Sequence, residues 1–95
     1  MRRVIVPLKD FNQALRDLEP ELPLHLVRDI ACRVADAPER ASSFQSGRMH
    51  ILHTRSYDRY PAFSLFYKFD DDKIYLADIQ LRDELADYED VEIWW

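Results

Sequence analysis

The spacing of apolar residues changes from helical to extended partway along the chain. At the start, Arg3–Val6 (RVIV) reads as a short strand that Pro7 ends. Leu8, Phe11, Leu15 and Leu18 then recur at three- and four-residue steps, which places them on one face of a helix. Asp10 with Gln13 has the spacing of a capping box, in which side chains take up the unpaired amides of the first turn. Pro20 stops this helix. Pro23 suits the start of the next, where its missing N–H costs nothing. There Leu24, Val27, Ile30 and Val34 repeat the stripe, flanked by Ala31, up to Ala37–Pro38. Two short helices with a proline-marked break predict a helical hairpin.

Residues 39–47 (ERASSFQSG) are small and polar and read as a loop ending at Gly47, the chain's only glycine. After it the period is two. Met49, Ile51 and His53 fall on one side of a strand, with His50, Leu52 and Thr54 on the other. Beyond a loop at Ser56–Tyr60, Phe63, Leu65, Tyr67 and Phe69 alternate with Ser64, Phe66 and Lys68. Asp70-Asp71-Asp72-Lys73 is a polar break between apolar runs and predicts a hairpin turn, with Ile74–Leu81 as the returning strand. From Arg82 to Trp95 the pattern suggests a helical turn through Leu85 and Tyr88 and a short terminal strand, VEIWW. The element order is β-α-α-β-β-β. This is an α+β fold, with the helical hairpin packed on one face of a small antiparallel sheet. The other face stays open, and side chains from several strands line it.

Composition narrows the class. The 95 residues form a single domain, 1–95, with 47% hydrophobic residues and enough apolar surface to fold. No apolar run is long enough to span a bilayer, so no membrane association is expected. The single cysteine, Cys32, excludes an internal disulfide and fits a reducing cytoplasm. Thirteen Lys and Arg against eighteen Asp and Glu give −5, unevenly spread. Residues 1–60 carry ten bases and eight acids, residues 61–95 three and ten. Nucleic-acid affinity rests mostly on phosphate neutralisation. Any such role must therefore come from a local basic patch, and Arg40, Arg48, Arg55 and Arg59 with His50 and His53 form the most basic stretch.

Few residues offer chemistry. One glycine cannot make a phosphate-binding loop. Cys32 sits on the second helix and reads as core. The aspartate run lacks the spaced ligands of a calcium loop. His50 and His53 are three apart, so on a strand they face opposite sides and cannot share a metal; no metal or other cofactor is expected. Either histidine beside Arg55 could act on a phosphodiester. Cleavage through the 2′-hydroxyl needs a base, an acid and cations for the transition-state charge, and histidine titrates near neutrality. Phe66, between Ser64 and Lys68 on the open face, can stack a nucleobase or bind a partner. Ile93-Trp94-Trp95 is expected to fold back onto the sheet.

The stretch FSLFYKFDDDKIYLADIQLRDELADYED resembles the carboxy-terminal half of the RelE/ParE superfamily of bacterial toxins. Its pattern is a strand reading basic-apolar-apolar-Tyr, an acidic hairpin turn, an apolar strand, then an arginine and a late tyrosine. The match lies within residues 48–90, and the preceding helical hairpin fits the family order. The resemblance implies a RelE-like fold and a toxin acting on translation by ribosome-dependent, metal-independent mRNA cleavage. Its partners would be the ribosome, mRNA and a cognate antitoxin. Arg82 and Tyr88 fall on the family's arginine and late tyrosine, and His50 and His53 take the acid–base positions. Arg55 and Lys68, with Phe66, would hold RNA. The third-strand arginine of the family is Ser64 here, and Lys68, two same-face steps along, is its nearest substitute. The alternative is a non-catalytic binder, either a ParE-like gyrase inhibitor or an acidic phage- or plasmid-encoded inhibitor presenting residues 83–92.

Overall fold

The computed structural model describes residues 3–19, 21–56 and 60–82. The tail read as a helical turn and terminal strand, including Tyr88, Trp94, Trp95 and the acids of residues 83–92, lies outside the described residues, as does the middle of the Ser56–Tyr60 loop. The elements run β1 (Val4–Pro7), α1 (Lys9–Leu18), α2 (Leu24–Asp36), α3 (Pro38–Ala41), β2 (Phe44–Ser46), β3 (Met49–His53), β4 (Phe63–Phe69) and β5 (Lys73–Leu81). The strands form one sheet in the order β1-β5-β4-β3-β2.

The helical stripes bury as their spacing predicts. α1 turns Phe11 and Leu15 inward, and α2 turns Val27, Ala31, Val34 and Ala35. Leu22, in the break between them, is wholly buried and ties the connection down by donating its amide to the Leu18 carbonyl at 3.1 Å. These side chains pack on Phe63, Leu65, Tyr67, Ile74, Leu76 and Ile79 from β4 and β5. Helices therefore cover one face of the sheet, as expected of the α+β reading.

Four details depart from the expectation. β1 joins the sheet in parallel with β5, matching Ile5 to Ile74 and Val6 to Tyr75, so the sheet is mixed rather than antiparallel throughout. The stretch 39–47 is not all loop: Pro38 opens a single helical turn, and Phe44–Ser46 pairs with β3 as a short edge strand. Its three residues are all exposed, so they carry no apolar alternation to betray a strand. Gly47 explains the tight connection. Its φ of 60° starts a two-residue turn between Ser46 and Met49, a backbone conformation that glycine adopts without strain. Finally, α1 has no capping box: it is preceded by Leu8 with no side-chain cap, and Gln13 instead donates to Asp17 at 3.1 Å.

A β-bulge on β5 decides which side chains reach the core. Phe66 is opposite Asp78 and Tyr67 opposite Leu76, which leaves Ala77 as the extra residue. Without it, strict alternation from Ile74 and Leu76 would send Asp78 inward. With it, Ile79 enters the core and Asp78 turns out, where its carboxylate accepts from the Ile79 amide at 2.8 Å and from Gln80 at 3.0 Å.

Candidate functional site

The period of two on β3 and β4 divides the histidines between the two faces of the sheet. His53 pairs with Ser64 and Ile51 with Phe66 on the open face; His50 pairs with Tyr67 and Leu52 with Leu65 on the helix-covered face. On the open side His53 Nδ1 and the Ser64 hydroxyl lie 2.7 Å apart, and the His53 amide donates to the Ser43 hydroxyl at 3.0 Å. The Phe44 ring meets the His53 ring edge-on, with centroids 4.9 Å apart. Ser64 is the one buried polar residue among the described residues, and this hydrogen bond satisfies its hydroxyl.

Arg82 belongs to the same end of the sheet. Its amide donates to the Ala62 carbonyl at 3.0 Å, which extends the β4–β5 pairing by one step. Its guanidinium donates to the Thr54 carbonyl, next in sequence to His53. Arg82 therefore spans the ends of β3 and β4, with the exposed Arg55 adjoining. Of the residues singled out from sequence, His53, Ser64 and Arg82 come together here, and Arg55 follows Thr54 in the chain. Phe66 lies half-buried further along β4, between Ile51 and Asp78. Lys68 is exposed at the far end, about 13 Å from Ser64 at the rise of an extended strand.

His50 does not join this cluster. Its ring stacks on Tyr67, with centroids 5.5 Å apart and planes 19° apart, and lies 4.8 Å from Phe69. Its Nδ1 is 3.1 Å from the Ser42 hydroxyl. Tyr67 is itself fully buried and donates to the Pro38 carbonyl at 2.6 Å. Burial pushes its phenol up to about 12, so it stays protonated as a fixed donor. Tyr88 lies outside the described residues.

At the Lys68 end, the β4–β5 turn is organised by Asp70. Its carboxylate accepts from the Asp72 amide at 2.9 Å, the Lys73 amide at 2.7 Å and the Tyr75 hydroxyl at 3.2 Å. The two amides hold the carboxyl below its ordinary range. The aspartate run is thus a turn, as its sequence suggested. Among the described residues no group of three His, Cys, Asp or Glu side chains is placed to hold a metal ion, and no helix is long and apolar enough to cross a membrane.

Phe44, on the edge strand, escaped the sequence reading, and Arg48, named there only within the basic stretch, was not placed in the Gly47 turn. The signal that could have found them is the lone glycine two residues ahead of an alternating strand, which marks a hairpin.

No protein-family model matches the chain, and no curated protein matches it. Solved structures do. A mutant of the E. coli toxin RelE in the free state superposes with a TM-score of 0.60 at 14% identity, covering 94% of this chain and 93% of that one. The solution structure of a conserved hypothetical protein from Helicobacter pylori superposes with a TM-score of 0.59 at 16% identity, covering 87% of this chain and 98% of that one. At these identities the likeness is one of fold. The fold is RelE-like over almost the whole chain.

Proposed function

We propose that this RelE-like fold is the toxin of a toxin–antitoxin pair and that it inhibits translation by cleaving mRNA on the ribosome. The observation that carries the reading is the cluster at the open end of β3 and β4. A histidine held by a buried serine hydroxyl stands beside the strand ends that Arg82 bridges. In this reading the 2′-hydroxyl of the RNA attacks the adjacent phosphorus, the P–O5′ bond breaks, and a 2′,3′-cyclic phosphate forms. His53 exchanges the proton, either from the attacking hydroxyl or to the departing 5′-oxygen. Ser64 fixes the ring, and Arg82 with Arg55 offsets charge on the non-bridging oxygens. Tyr88 is retained as the second proton-transfer group, on the family pattern alone. No metal enters this scheme. Such an activity places the protein in the cytoplasm with ribosomes, and a cognate antitoxin would silence it by covering the open face.

The test is a cell-free translation reaction with mRNA ends mapped by primer extension. Wild-type protein should give codon-phased cuts that require ribosomes. His53→Ala should lower the cleavage rate by about a hundredfold or more, the usual size of an acid–base contribution, and Arg82→Ala should lower it comparably. Intact mRNA in the wild-type reaction would overturn the reading.

A second reading rests on a different observation. Phe44, Ile51 and Phe66 stand in one register across β2, β3 and β4, making an apolar row on the face where RNA would lie. A non-catalytic binder, of gyrase or of another protein, would use such a row as its contact. Growth arrest with intact mRNA, relieved by Phe66→Ala, would select it.

A further inference from the structure

A groove of about 490 Å³ opens at the Lys68 end of the sheet, between the β2–β3 turn and the β4–β5 turn, and is lined from both faces. Its size is that of a small-molecule site, about 300–1,000 Å³. Arg48, Lys68, His50, Phe69, Asp70 and Tyr75 line it. We propose that this groove is a phosphate subsite for single-stranded RNA, holding a nucleotide that flanks the one at the His53–Arg82 cluster. The proposal rests on the RNA reading above and adds to it a second anchor point and a path along β4.

The charge pattern is the first argument. Arg48 and Lys68 converge on the groove, are exposed, and make no hydrogen bond or ion pair among the described residues. The one carboxylate in the groove is already engaged. Asp70 is directed into its own turn, taking two amides and the Tyr75 hydroxyl. What the groove offers an incoming group is therefore two cations, and a phosphate satisfies both.

Rigidity is the second. Arg48 follows Gly47 in a two-residue hairpin turn, so its backbone is fixed by the pairing of Ser46 with Met49. The aromatic wall is fixed as well: His50 packs on Tyr67 and Phe69, and the Arg3 guanidinium lies 5.3 Å from the Phe69 ring while its Nε donates to the Asp70 carbonyl at 2.6 Å. A site whose walls are set before the ligand arrives loses less entropy on binding.

Geometry is the third. Lys68 is on the same face of β4 as Ser64, with Phe66 between them. The separation of about 13 Å is one that a short extended oligonucleotide spans. Cations at both ends with an aromatic ring between them are the ordinary elements of a single-strand groove.

The test is fluorescence anisotropy with the full chain and a short fluorescein-labelled single-stranded RNA, titrated at several salt concentrations. Arg48→Ala and Lys68→Ala should each weaken binding about tenfold and lower the slope of log affinity against log salt by about one. Both residues are exposed, and an unchanged melting temperature will confirm that each variant folds. Wild-type binding that the double variant matches in affinity and slope would overturn the subsite and leave the RNA reading standing. A double variant that keeps RNA binding but escapes a neutralising protein partner would also overturn it, assigning the groove to that partner. A wild-type chain that binds no RNA would bring down both the subsite and the reading beneath it.

Discussion

The two faces of β4 are made from consecutive residues and obey different rules. Phe63, Leu65 and Tyr67 point under the helices and are almost completely buried. Ser64, Phe66 and Lys68 point the other way, and exposure rises along them from a buried serine to an exposed lysine. The histidines of β3 repeat the division. His50 stacks on the buried Tyr67, whereas His53 binds Ser64 on the open side. One face is fixed by packing and tolerates little; the other holds polar groups in place by a few specific hydrogen bonds. The histidine on the first is mainly a packed ring, and the one on the second is held by a serine hydroxyl. The two histidines differ because the helices cover only one of the faces, not because the residue type differs.

Truncation on the two faces should therefore separate sharply. Leu65→Ala opens a cavity beneath the helices and should cost about 2–5 kcal/mol, read as the shift in a urea unfolding curve. Phe66→Ala removes a larger side chain one residue away, yet should cost less than half as much, because its ring is only partly withdrawn from water. Equal costs would show that the open face is packed like the core. Tyr67→Phe is a finer probe of the covered side. It keeps the ring and removes the hydroxyl that the Pro38 carbonyl accepts, so about 1 kcal/mol should be lost.

Much of this division was legible in the amino-acid pattern. Helical stripes announce Phe11, Leu15, Val27 and Val34 as core, and alternation alone puts His50 and His53 on opposite faces. What was not legible shares a physical cause: contacts distant in sequence. The parallel pairing of β1 with β5 joins strands separated by the whole helical hairpin. Edge strand β2 exists because β3 offers it hydrogen bonds, since its own side chains are all exposed. Nothing in IYLADIQL reveals that Ala77 is bulged, though Asp78 would otherwise point into the core. In the candidate site, His53, Ser64 and Arg82 were each singled out, but their meeting depends on the β3–β4 register and on Arg82 reaching back to Thr54. Phe44 was passed over because it fell in a stretch read as loop, and Arg48 was noted only as part of the basic stretch because its turn depends on the β2–β3 pairing.

The turn that closes both faces gives the smallest effect and the clearest sign. Asp70 has its carboxyl held below the ordinary 3.8 in the folded chain by the Asp72 and Lys73 amides, so the folded state prefers it ionised. Its contribution is fully present above the unfolded value and is lost as pH falls through the lower folded one. Asp70→Asn keeps an oxygen for the turn amides and removes the charge. Wild type should accordingly melt higher than the variant from neutral pH down to about pH 5, and the gap should close below about pH 4 as the wild-type carboxyl takes up its proton. The substitution also takes the one negative charge out of the Arg48–Lys68 groove. If that groove holds phosphate, the variant should bind RNA slightly more tightly at neutral pH while melting lower. Stability and affinity moving in opposite directions would separate the turn's structural role from the charge it places in the groove; a parallel loss of both would mean that the turn's geometry, not its charge, supports binding there.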